Sequence, residues 1–241
     1  MPTKEWFEQY DRIKKSLECS ADLDAYFSEK EIAGTNIDTL HVGNVHFPTG
    51  TIIACDPLVQ LEDCPPYLQT APVGVYPVRI CVALDEECGD RYACVKVTIR
   101  DQKPVRYELA MTGEEYFDED IEDGGFFGFG VDAGMGCIAD IQTQEAYIKY
   151  WQKLYEADNN IDPYNDLFCD ILEESYQKNP KYQSELGDWA NWTVPETDCN
   201  VVMFSSGWGD GAYPCYFGYD ENNNLCGIYI WFIDIAQDYT D

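Results

Sequence analysis

Positive charge is the scarcest commodity in this chain. Its 241 residues hold 15 Lys and Arg against 45 Asp and Glu, a formal net charge of −30. Beyond Lys181 there is no Lys or Arg, while ten acids follow between Glu185 and Asp241. Such a surface repels phosphate backbones and anionic headgroups, so neither nucleic acid nor a membrane is an expected partner. It suits cationic proteins, metal cations or cationic ligands, and it also serves solubility.

Other absences remove whole chemistries. The only histidines are His41 and His46, with no cysteine cluster beside them, which argues against a His/Cys zinc site. There is no Gly-x-x-x-x-Gly-Lys-Ser/Thr phosphate loop and no Gly-x-Ser-x-Gly elbow. Asp220-x-Asn222-x-Asn224 begins like a calcium loop but fails where Leu225 replaces the glycine and Trp231 the bidentate glutamate. The 11 cysteines form no Cys-x-x-Cys pair, and Cys81, Cys94, Cys215 and Cys226 sit inside apolar stretches as small hydrophobes. No apolar run approaches the roughly 18–20 residues of a membrane span, and Met-Pro-Thr-Lys-Glu-Trp lacks the apolar core of a signal peptide. A reducing, cytoplasmic setting with few or no disulfides is the expectation.

What is present is an ample core. Hydrophobic residues make up 45% of the chain and aromatics 15%, which excludes a disordered polymer. Trp6, Tyr10, Ile13 and Leu17 recur at helical spacing over 4–18, and a shorter helical piece follows from Ser20 through Phe27. From about residue 40 the period changes to two. His41–Phe47 and Thr51–Cys55 read as strands, joined as a hairpin through Pro48-Thr49-Gly50. Val78, Ile80, Val82 and Leu84 alternate, as do Ala93, Val95, Val97 and Ile99; Lys96, Thr98 and Arg100 then lie on a wet face. Tyr107–Thr112 reads equally well as a short helix or a strand.

Residues 114–123 carry seven acids, a solvated loop or a docking surface. Between about 142 and 180 the helical period returns: Thr143 is a plausible N-cap of a first helix, and Asp162-Pro163 starts a second. Asn200–Phe204, Tyr213–Tyr219 and Leu225–Ile233 are strands, the last two joined through 220–224. Asn191-Trp192-Thr193 matches a glycosylation acceptor, without meaning in a cytoplasmic protein. The expected fold is α+β: one domain over 1–241, mainly antiparallel and sandwich-like. Its β-rich core covers about 40–140 and 199–235, with an N-terminal helix at 4–18 and an inserted helical hairpin at about 142–180.

Three aspartates stand at strand ends or in glycine turns: Asp56 (Ala-Cys-Asp-Pro), Asp132 (Gly-Val-Asp-Ala-Gly) and Asp210 (Gly-Trp-Gly-Asp-Gly). If they converge, with Gly134, Trp208, Gly211 and Tyr213 around them, they could bind Mg²⁺ or Ca²⁺ through oxygen, or supply an acid/base pair. The competing use is structural, because aspartate in such contexts routinely accepts backbone N–H bonds.

Three ordered stretches carry a family resemblance: Val42-Gly43 through Gly50 to Leu58, then Gly130–Gly134, then Ser206–Pro214, with Val73–Val78 matching too. The chain resembles the bacterial family catalogued as domain of unknown function 4241, over about residues 40–235. The resemblance implies a bacterial, cytoplasmic, single-domain protein and assigns no activity. The favoured function is a non-enzymatic acidic module that engages a cationic protein partner, in the manner of an immunity protein neutralising a toxin. No cofactor is expected on that reading. The alternative is a metal-dependent hydrolase or small-molecule-binding protein centred on Asp56, Asp132 and Asp210.

Overall fold

A computed structural model describes residues 2–86, 89–117 and 125–239. Residues 118–123 of the acidic run lie outside the described residues. Helix α1 (Lys4–Ile13) is capped by Thr3, whose hydroxyl accepts the Trp6 N–H at 3.1 Å. It is shorter than the 4–18 expected, because the chain turns after Ile13 while Leu17 stays buried. After α2 (Ala25–Ser28) come β1 (Glu31–Ile32), β2 (Thr35–Phe47), β3 (Ile52–Cys55), β4 (Gly74–Ala83), β5 (Arg91–Thr98) and β6 (Arg106–Leu109). The first half of the stretch left open between helix and strand, Tyr107–Leu109, thus lies in β6. Next are β7 (Phe129–Val131), β8 (Met135–Asp140), α3 (Ile141–Ala157), a π-helical turn at Tyr164–Phe168 and α4 (Cys169–Lys178). The chain closes with β9 (Trp189–Thr193), β10 (Asn200–Ser205), β11 (Gly211–Tyr213), β12 (Cys215–Tyr219), β13 (Leu225–Trp231) and α5 (Ile235–Asp238).

Among the described residues these strands form a seven-stranded sheet ordered β1-β2-β4-β5-β13-β12-β6, a four-stranded sheet β3-β8-β10-β9 and a ribbon β11-β7. All named pairings are antiparallel. The smaller sheet is covered on both faces. Ile52, Ala54, Ile138, Val202 and Phe204 pack into a core shared with the large sheet. The alternate residues Ile53, Cys55, Cys137, Ala139 and Met203 pack with Tyr147, Phe168 and Leu172 of the helical hairpin. Burial on both faces explains why Ile52–Cys55 and Met135–Asp140 are apolar without alternation. The layers run from large sheet to small sheet to helices, an α+β arrangement dominated by antiparallel strands.

The anticipated β2–β3 hairpin does not form. β2 pairs with β4 in the large sheet and β3 with β8 in the small one. Pro48-Thr49-Gly50 is therefore a corner between sheets, and a buried carboxylate holds it. Asp140 accepts the N–H groups of Thr49 (3.0 Å) and Gly50 (2.9 Å), the Thr49 hydroxyl (2.8 Å) and the Gln142 N–H (2.9 Å). The last of these makes Asp140, rather than Thr143, the N-cap of α3.

Two further expectations change. The face carrying Lys96 is not wet, because residues 17–28 lie over it; Lys96 is 6% exposed, and its ammonium is ion-paired with Asp24. Tyr229 donates to the same carboxylate at 2.9 Å, and the Phe27 and Tyr229 rings lie 5.7 and 5.3 Å from the ammonium nitrogen. A buried lysine needs such a paired, aromatic setting. The glycosylation-like Asn191 instead belongs to β9, and strands occur outside the spans expected for the β core. Its amide donates to the carbonyls of Val42 and Asn44, both at 2.9 Å, where β2 bulges. Gly43 lies in that bulge at φ +91°, and a Cβ there would come within 2.7 Å of the amide nitrogen.

Asp140 serves several donors from a fully buried position, so its removal strands them without water. Asp140→Ala is expected to cost about 2–4 kcal/mol in urea unfolding, with Asp140→Asn less damaging because it keeps one acceptor oxygen.

Candidate functional site

The glycine-rich loop between β10 and β11 is built by its own hydrogen bonds. Ser206, 1% exposed, donates its hydroxyl to the Gly209 carbonyl at 2.7 Å. Tyr213 donates to the same carbonyl at 2.8 Å, and burial raises the Tyr213 pKa. Gly207 has φ +64°, and a Cβ on it would meet Phe232 Cβ at 2.9 Å and the Tyr92 carbonyl at 3.0 Å. Glycine is required there by geometry and by packing.

The structure brings the three aspartate turns together through backbone rather than through shared carboxylates. Asp56, 1% exposed, accepts the N–H groups of Asp132 (2.9 Å) and Ala133 (2.7 Å) with one oxygen and that of Leu58 (2.9 Å) with the other. Asp210 accepts the Gly134 N–H at 3.0 Å, and the Ser206 N–H reaches the Gly134 carbonyl at 3.1 Å. Gly211 pairs with Val131, and Tyr213 with Phe129, in the β11–β7 ribbon. Residues 132–134 are thus gripped from both sides.

The three carboxylates have different surroundings. Both Asp56 oxygens are committed to backbone donors. Asp210 is exposed and uses one oxygen on Gly134. Asp132 contributes its N–H to the turn, while its exposed side chain makes no hydrogen bond among the described residues. Among the described residues, no three His, Cys, Asp or Glu side chains are grouped as a metal ion would need.

Beside this assembly lies a cleft of about 470 Å³, bordered by Asp90, Arg91, Tyr182, Asp188, Trp208 and Gly209. Trp208 is 48% exposed. Its ring stacks on Tyr239 at 5.9 Å, its N–H reaches Asp238 at 3.3 Å, and the Arg91 guanidinium lies 5.5 Å from its centroid. Gly134, which also borders the cleft, and Trp208 were visible as candidates in the sequence. Arg91 and Asp238 gave no local signal, because strand order rather than spacing brings them to position 208.

The family described as "Protein of unknown function (DUF4241)" has a sequence model that matches residues 45–230, and the chain belongs to that family. No curated protein and no solved structure matches the chain. Among the described residues, no helix is long and apolar enough to cross a membrane.

The roles of the three aspartates separate by mutation. Asp56→Ala is expected to cost about 2–3 kcal/mol and Asp210→Ala about 1 kcal/mol, while Asp132→Ala stays within about 0.5 kcal/mol. Thermal melts check this order, and a loss at Asp132 matching that at Asp56 would contradict it.

Proposed function

We propose that this member of the family is a non-enzymatic binding module that engages a cationic protein partner, as an immunity protein would. Contact centres on the loop Ser205–Tyr213 and the turn at 132–134. The observation that carries this reading is Trp208, a half-exposed indole beside a cleft bordered by Asp90 and Asp188, with its N–H on Asp238. Asp90, Asp132, Asp210 and Asp238 are all exposed. No Lys or Arg follows Lys181 in the chain, and Arg91 of β5 is a cation that the fold brings to this segment.

Chemistry favours a guanidinium or ammonium as the incoming group. Tryptophan rings attract cations, more strongly as water is excluded; Arg91 and Tyr239 already contact this ring, so an incoming cation meets its exposed remainder together with Asp238. Rigid aromatic anchors ringed by polar groups are where binding energy concentrates in protein interfaces. Net charge of this size also steers a basic partner over long range, which makes association fast and salt-sensitive. A hydrolase reading draws less support, since Asp56 spends both oxygens on backbone N–H groups.

The test is capture of cationic proteins from the source cell at low salt, followed by affinity measurements on whichever partner is retained. Trp208→Ala is expected to weaken binding about tenfold, and Asp132→Asn to weaken it while reducing its salt dependence. Failure to retain any cationic protein, or equal affinity in both variants, would overturn the reading.

A further inference from the structure

The small sheet has two edges, and the fold treats them differently. At β3 the edge is closed: the Tyr67 N–H donates to the Ile52 carbonyl at 2.9 Å, and Thr51 pairs with Thr70. At the other edge, β9 pairs only with β10 among the described residues. Its register turns 190, 192 and 194 toward β10. The flanking bonds agree, with the Val194 N–H on the Cys199 carbonyl at 2.9 Å and the Ser205 N–H on the Asp188 carbonyl at 2.7 Å. Alternate residues of an antiparallel strand bond to opposite sides, so the backbone groups of Trp189, Asn191 and Thr193 face outward. Gln183 accepts the Trp189 N–H at 3.1 Å. Among the described residues, no strand or loop takes up the N–H and C=O groups of Asn191 and Thr193.

Along this edge runs a cleft of about 440 Å³. β9 lines it from Trp189 to Thr193, with Ile171, Glu174 and Lys178 of α4 on one side and His41 and Gly43 of β2 on the other. Trp189 and Ser175, which also border it, each hold a buried polar atom (Nε1 and Oγ) without a hydrogen-bond partner among the described residues. Such atoms are uncommon in folded proteins. Glu174 and Lys178 pair with each other at 2.9 Å, which leaves that wall balanced in charge. Open edges are usually blunted by charge, proline or a bulge. Trp-Ala-Asn-Trp-Thr carries no charge and no proline, and its pairing with β10 runs without a register shift. The cleft shares no lining residue with the one beside Trp208.

We propose that β9 is a docking edge, taking an extended, proline-free peptide segment of a partner protein as a fifth strand of the small sheet. The outward groups of Asn191 and Thr193, two residues apart, match the hydrogen-bonding repeat of one extended backbone. Ile171 and Trp192 belong to the apolar cluster on the helix side. An apolar side chain of the segment packs there, while its neighbours in sequence point toward β2. A second copy of this chain is not the occupant. Two such edges, each recessed between α4 and β2, do not reach the roughly 4.8 Å separation that strand pairing requires. A single strand does.

The probe is the uncharged peptide acetyl-Ser-Thr-Val-Thr-Val-Thr-Ser-amide, to which the acidic surface gives no electrostatic advantage. Before it is added, the Asn191 and Thr193 amides of the full chain are expected to exchange with deuterium about tenfold or more faster than those of Ala190 and Trp192. Titrated into isotope-labelled protein, the peptide is expected to shift the Asn191 and Thr193 amide resonances and slow their exchange. N-methylation of its three central residues removes the donors on both of its edges, and is expected to weaken binding about tenfold or more. Thr193→Pro deletes one outward donor and no bond to β10, so a similar loss is expected with an unchanged melting curve. Should that variant unfold, the N-methylated peptide still decides. The proposal fails if millimolar peptide leaves both amides unmoved, or if the N-methylated peptide binds as well as its parent. Protection of both amides in the free protein that rises with protein concentration would place a second copy on the edge and overturn it too.

Discussion

A sheet covered on both faces must satisfy the backbone at its corners without help from water, and buried carboxylates do that here. β3 enters the small sheet from a corner held by Asp140 and leaves it directly into Asp56. Each carboxylate gathers N–H groups from segments remote in sequence, joining 49–50 to 140–142 and 56–58 to 132–133. A carboxylate accepts several such bonds at once, and charge-assisted bonds are the stronger kind. The three-layer stacking and the candidate loop depend on these two residues more than on any exposed ion pair, since exposed pairs contribute little.

Much of the architecture was legible because hydrophobic periodicity is a local property. The helices around 142–180, the alternation in β4 and β5, and the closing hairpin through Asp220 followed from spacing and turn chemistry. Asp220 indeed binds the N–H groups of Asn222 and Asn224, at 2.9 and 2.8 Å. What could not be read was partnership. Two apolar strands separated by Pro-Thr-Gly look like a hairpin, yet the corner sends them into different sheets. Lys96 looks solvated in an alternating strand, yet Asp24 and residues 17–28 cover it. β9 passed unnoticed because its asparagine works as a long-range bridge to the bulge in β2 rather than as part of an apolar pattern.

The candidate site shows the same division. Glycine and aspartate spacing identified the turns around 56, 132 and 210, and the structure brings these turns together. Spacing was silent on which atoms meet. Carboxylates at neighbouring strand ends suggested oxygen atoms converging on one ion, whereas backbone N–H groups donate to the carboxylates of Asp56 and Asp210. Asp140, which accepts four hydrogen bonds, escaped attention because it precedes Ile141 at the end of an apolar run, with no glycine to mark a turn. Arg91 reaches Trp208 only through the order of strands in space.

This division of labour bears on how an acidic surface can be specific. Most of the 45 acids contribute a diffuse field, which attracts any cation and selects none. Selectivity needs fixed geometry, and a loop of glycines offers that only if its backbone is pinned. Asp56 from below, the Asp210 bond to Gly134 and the β11–β7 ribbon pin residues 132–134, while Ser206 and Tyr213 close the loop on Gly209. The carboxylates consumed in holding this frame are what leave Asp132 and Trp208 presented at fixed positions. On the proposed reading a partner cation would meet the Trp208 indole and the Asp132 carboxylate on a pinned loop, so less conformational entropy would be lost on binding than with a mobile acidic tail. The structural use of Asp56 is therefore the physical condition for the binding use proposed for Asp132.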